Sequence, residues 1–209
     1  MRKFRILLLI LASAACTLGA QAAGPEIGTL MERARDLFDY GRWSDARHEF
    51  LRAKAALTPS DRLLAQEVEF YLAACAVELG SADAEGALRE FDERYPGSVY
   101  ANDVRFALGS FYCSAGNMKK AREAFEKTDY RALSAPRREQ YDIRMGYVEF
   151  GDGNYAKAYG YFDRIGSRSE YVDHARYYKA YIDYAEGRYG RAKQGFETLA
   201  RSDAYGDVV

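Results

Sequence analysis

The sequence predicts an all-α solenoid of antiparallel helix pairs, about five pairs and the start of a sixth. Three observations predict it. Glycines recur at 41, 80, 116, 153 and 187; each is followed by an Ala and, four residues later, a Phe; and a small residue stands seven positions before each glycine. The Ala/Phe pairs are Ala46/Phe50, Ala87/Phe91, Ala121/Phe125, Ala158/Phe162 and Ala192/Phe196, so the Phe spacings are 41, 34, 37 and 34 residues. A period in that range marks a helical repeat, in which each pair buries its apolar face only against its neighbours.

Each element follows from that frame. The first pair is predicted over residues 27–40 and 42–56, and the second over 62–79 and 85–95, with a turn enlarged by two residues within 81–84. The third covers 103–115 and 118–128, where Ala107, Phe111 and Ser114 recur beside Phe106, Ser110 and Cys113, so both sides of its first helix are partly buried. The fourth covers 140–151 and 154–165, and the fifth 173–186 and 188–201. As repeat units these become residues 27–60, 61–98, 99–135, 136–169 and 170–203. The small residues Ala34, Ala73, Gly109, Gly146 and Ala180 let two helices cross closely, and the Phe of each pair fills the space beneath. Trp43, Met118, Tyr155 and Tyr189, two residues after four of the glycines, can close the hairpins.

The composition of 48% hydrophobic, 29% charged and 14% aromatic residues with 4 Pro excludes disordered and collagen-like chains. The unusual count is 18 Tyr, which points to helices packed with rings that keep a polar tip.

Residues 1–22 read as an export signal. Arg2, Lys3 and Arg5 give a basic start, Ile6 to Leu11 a short apolar core, and Ala20-Gln21-Ala22 a small-residue cleavage point, which places the mature N-terminus at Ala23. Removing them leaves 27 basic against 31 acidic residues, a net charge of −4, poorly suited to phosphate contacts with nucleic acid. No later stretch supplies the about 17–25 apolar residues of a membrane span. Cys16, after Ser13-Ala14-Ala15, is the alternative: a lipid anchor, although lipid-bearing cysteines normally follow a Leu-like residue where Ser13 stands. Cys75 and Cys113 lie at different offsets from their turn glycines and are expected to be buried free thiols rather than a disulfide.

At this point the chain resembles the tetratricopeptide repeat family. The residues that carry the resemblance are Ala34…Gly41-Arg42-Trp43…Ala46…Phe50, Gly109…Tyr112…Gly116-Asn117-Met118…Ala121…Phe125, Gly146…Gly153-Asn154-Tyr155…Ala158…Phe162 and Ala180…Gly187-Arg188-Tyr189…Ala192…Phe196. The second unit departs by its longer turn, and its ending, Tyr95-Pro96-Gly97-Ser98, looks like envelope tetratricopeptide proteins that accompany outer-membrane assembly or peptidoglycan-linked machinery. The resemblance implies a right-handed superhelix and a periplasmic, outer-membrane-associated location. Tyr205 and Asp207 repeat Tyr171 and Asp173 at a distance of 34 residues, so the end of the chain reads as the opening of a sixth unit in a longer array.

Chemistry is sparse. The two histidines, His48 and His174, belong to no metal-binding or catalytic motif, and no enzymatic activity, cofactor or metal is expected. The resemblance implies a concave groove lined by the first helix of each unit: Asp103, Phe106, Ser110 and Cys113; Gln140, Ile143, Tyr147 and Phe150; His174, Tyr177, Tyr181 and Tyr184. Their spacing of three, four and three independently puts each set on one helical stripe. These side chains either line a groove for a partner's peptide or helix, or fill the contacts between units. The functional expectation is an exported protein–protein interaction scaffold of the cell envelope. The alternative is a module for a glycan or peptidoglycan fragment, with the tyrosines stacking on sugar rings.

Overall fold

A computed structural model describes residues 25–202. The export signal, the lipidation alternative at Cys16, the mature start at Ala23 and the opening of a sixth unit lie outside the described residues. Within them, ten α-helices follow one another with no strand: α1 (Pro25–Asp39), α2 (Trp43–Ala56), α3 (Arg62–Glu78), α4 (Ala84–Arg94), α5 (Ala101–Ser114), α6 (Met118–Glu126), α7 (Ala135–Gly151), α8 (Tyr155–Asp163), α9 (Val172–Ala185) and α10 (Tyr189–Ala200). The architecture is an all-helical repeat of the hairpin type.

The five glycines singled out by the sequence are the only positive-φ residues among those described, at 71°, 63°, 74°, 75° and 79° in chain order. This left-handed conformation costs a glycine little and lets the chain reverse directly after a helix. Each turn closes the same way. The residue after the glycine donates its N–H to a carbonyl five residues back: Arg42 to Leu37 at 2.8 Å, Ser81 to Ala76 at 2.9 Å, Asn117 to Tyr112 at 2.8 Å, Asn154 to Glu149 at 2.9 Å and Arg188 to Asp183 at 2.7 Å. In four of the five turns that residue is already the cap of the next helix. The exception is the second, where α4 waits until Ala84.

Most helix ends fall within two residues of the expected ones. The largest departure is α7, which begins at Ala135, five residues before the expected Gln140. Pro136 sits in its first turn, where the missing N–H of proline has no intrahelical partner to lose. A 3₁₀ turn at Tyr130–Ala132, unforeseen in the sequence, leads into it.

The chain divides into two compact units, residues 1–111 and 112–209, with α5 running across the division. In the first unit consecutive helices pack through a ladder of rings. Phe50 stacks on Tyr71 at 4.8 Å, Phe38 meets the same ring edge-on at 5.3 Å, and Phe70 stacks on Tyr100 at 4.4 Å. Buried carboxylates on these helices are paired, Glu67 with Arg35 at 2.6 Å and Glu49 with Arg52 at 2.8 Å.

In the second unit α7 and α8 cross where Gly146 faces the Phe162 ring, and a Cβ at residue 146 would lie 2.4 Å from it. The α9–α10 crossing reverses the sizes' placement: Ala180 meets Gly195, whose Cβ would fall 2.7 Å from the alanine Cβ. Phe162 is closed on its other side by Tyr178, stacked at 5.2 Å. The α7–α8 turn is pinned by Glu149, which accepts from Arg122 and from Asn154 Nδ2, the latter at 2.9 Å.

Candidate interaction surface

Counting back from each turn glycine shows where the predicted stripe lies. Ten residues before it stand Met31, Phe70, Phe106 and Ile143, exposed by 1%, 2%, 3% and 2%, and then Tyr177, exposed by 41%. The Phe of the second helix follows the same course: Phe50, Phe91, Phe125 and Phe162 are at most 1% exposed, and Phe196 is 36% exposed. Side chains in this register fill the seam between one pair and the next. In the second unit the seam is direct, since Phe150 packs edge-on against Tyr178 at 4.9 Å and Tyr181 at 5.4 Å, and Tyr147 meets Tyr178 at 4.9 Å.

The candidate residues therefore divide. Phe106, Ser110 and Ile143 are buried and cannot touch a partner in the folded chain, and the Ser110 hydroxyl donates to the Phe106 carbonyl at 2.9 Å. Asp103, Cys113, Gln140, Tyr147, Phe150 and His174 are half-buried. Only Tyr177, Tyr181 and Tyr184 of the predicted set are exposed. They lie at i, i+4 and i+7 on α9, one face of one helix.

Two exposed rings on α10 were not foreseen as surface. Phe196 meets Tyr177 edge-on at 6.1 Å, and Tyr189 meets Tyr184 at 5.6 Å, so five rings form a patch on the α9–α10 hairpin. The sequence register marks Phe196 as core like its four counterparts. Only its burial tells it apart.

Two clefts, neither lined by these rings, are crossed by ion pairs. One of about 370 Å³ is bordered by Tyr159, Arg176, Lys179 and Arg191. There Lys179 pairs with Asp163 at 2.6 Å and sits over the Tyr159 ring, while Arg176 pairs with Asp173 at 3.0 Å. A smaller one in the first unit, about 170 Å³, carries Arg47–Asp83 at 2.6 Å and Lys54–Glu69 at 3.3 Å.

The titratable groups are structural in their surroundings. Cys75 and Cys113 are free; burial pushes the first thiol up to about 12 and the second to about 11, which keeps both out of the nucleophilic thiolate form. Asp142 accepts from the Tyr130 hydroxyl at 2.7 Å and from Arg164 at 3.1 Å, yet burial outweighs these bonds and raises its carboxyl above the usual range. Among the described residues no group of His, Cys, Asp and Glu could hold a metal ion, and no helix is long and apolar enough to cross a membrane. No protein-family model matches the chain, and no curated protein matches it.

Proposed function

We propose that this chain is a non-catalytic interaction scaffold of the tetratricopeptide type, exported to the periplasm and associated with the outer membrane, that holds a partner's helix against the rings of α9–α10. The observation that carries this reading is the patch of five exposed rings on the α9–α10 hairpin, with Phe196 against Tyr177 at 6.1 Å and Tyr189 against Tyr184 at 5.6 Å. Rings of this kind serve as interface anchors, because they bring large contact area at little cost in side-chain freedom and a hydroxyl for the rim. Their i, i+4, i+7 spacing matches the ridge of a second helix laid alongside. A glycan module would instead floor a closed pocket with Tyr177 and Tyr181, and neither borders the two clefts described above.

The test is a Tyr177→Ala/Tyr181→Ala/Tyr184→Ala variant in the full chain, read by thermal melt and by capture of partners from envelope extracts. Anchor rings cost about 2 kcal/mol or more each when truncated at an interface. The expected outcome is a folded variant that has lost capture. A folded variant that captures as well as the parent rejects the surface, and fractionation that finds the protein in the cytoplasm rejects the location.

A further inference from the structure

Four buried acids bring their own cations: Glu67 has Arg35, Asp142 has Arg164, Glu149 has Arg122 and Asp183 has Arg188. Arg144 on α7 is the reverse case. It is half-buried and forms no ion pair with any described residue. Its Nη1 donates two long bonds, 3.3 Å to the Gln140 carbonyl and 3.4 Å to Gln140 Oε1. Among the described residues Nε and Nη2 find no acceptor. No side-chain nitrogen or oxygen there is both sealed from solvent and unbonded, so these two nitrogens open to water.

The side chains that act on Arg144 electrostatically are the neutral Tyr171, Cys113 and Tyr147, and the Glu170 carboxylate is engaged by the Tyr171 hydroxyl. Burial dominates and pulls the guanidinium below the ordinary arginine range, as expected of a cation with no counter-charge. The repeat register sharpens the anomaly. Arg144 stands nine residues before its turn glycine, the place where Tyr71 and Tyr178 stack on Phe50 and Phe162. A position that holds a packing ring in the second and fifth pairs, and Glu32 and Ala107 in the first and third, here holds a fork of donors with no acid to meet it.

We propose that Arg144, with Gln140 and Tyr171 beside it, forms a site that binds an oxyanion, the carboxylate or phosphate group of a small ligand. Such a group supplies the missing negative charge and accepts from Nε and Nη2 together, the two-pronged geometry that guanidinium favours. The site is independent of the aromatic patch on α9–α10, so either can fail without the other.

The experiment follows the arginine Nε–H signals of the full chain by nitrogen-edited NMR during titration with sodium acetate, inorganic phosphate or chloride at matched ionic strength. Arg144→Met identifies the Arg144 signal by its loss, with Arg144→Lys as the second variant should the first not fold. The expected result is a saturating shift of the Arg144 signal with acetate or phosphate, against a linear drift for exposed Arg191. Saturation by acetate assigns a carboxylate ligand, and saturation by phosphate alone assigns a phosphoryl group. A response to neither, or one shared by chloride and Arg191, overturns the proposal.

Discussion

Gly146→Ala isolates the contact that sets how closely α7 and α8 approach. The new Cβ would lie 2.4, 2.7 and 2.8 Å from three carbons of the Phe162 ring, where ordinary contact begins at about 3.5 Å, so the ring has to retreat by about 1 Å. Its retreat is blocked, because Tyr178 stacks on it at 5.2 Å and Tyr147 meets it at 5.8 Å. Overpacking of this kind costs about 1–3 kcal/mol. Against it stands the helix-propensity gain of Gly to Ala, about 1 kcal/mol. Gly160→Ala on α8 is the matched control: it receives the same gain, and its Cβ would meet nothing within 4 Å. The difference between the two variants therefore reports the clash alone, and urea denaturation followed by circular dichroism should place Gly146→Ala about 1–3 kcal/mol below Gly160→Ala. Equal stabilisation by both would refute the reasoning.

Three further outcomes follow from the same structure. At Gly153 the space is open but φ is +75°, so Gly153→Ala should cost about 1–2 kcal/mol through the backbone alone, and Gly153→Asn less, in the same urea assay. The Cys113 thiol, moved from its ordinary 9.0 to about 11, should alkylate with iodoacetamide at pH 8 about 100-fold more slowly in the folded than in the unfolded chain, and equal rates would contradict its burial. Asp142 has a folded-state carboxyl raised above its unfolded value of 3.8, chiefly by burial. Its contribution is thus fully present below the unfolded value and lost as pH rises through the raised one. Asp142→Asn should remove that part of the stability loss just above the ordinary aspartate range, as measured by urea midpoints across acidic pH; an unchanged pH profile would show that the carboxyl is not raised.

Much of the fold was legible because it is written in local chemistry. A left-handed turn residue excludes most side chains, so five glycines in series announced five helix reversals, and all five hold positive φ. The start of α7 escaped notice because the residues after Pro136 are charged and carry no apolar period, although proline in a first turn was a readable signal.

The site was less legible, for a reason of the same physics turned outward. The stripe of Phe106, Ile143 and Tyr177 is one pattern in the sequence, and helical spacing cannot tell a seam from a groove. Whether such a side chain is sealed or open depends on what lies across it: Ile143 is closed within its core cluster, while Tyr177 and Phe196 are exposed on the α9–α10 hairpin. Arg144 shows the same limit. Its residue type was plain, but the lack of a carboxylate partner is a property of surrounding helices distant in sequence. By itself the sequence determined the helix pairs, their turns and the rings that face along the stack. The tertiary structure decided which of those rings are covered and which cation is left without an acid, because burial and pairing arise only when separate helices meet.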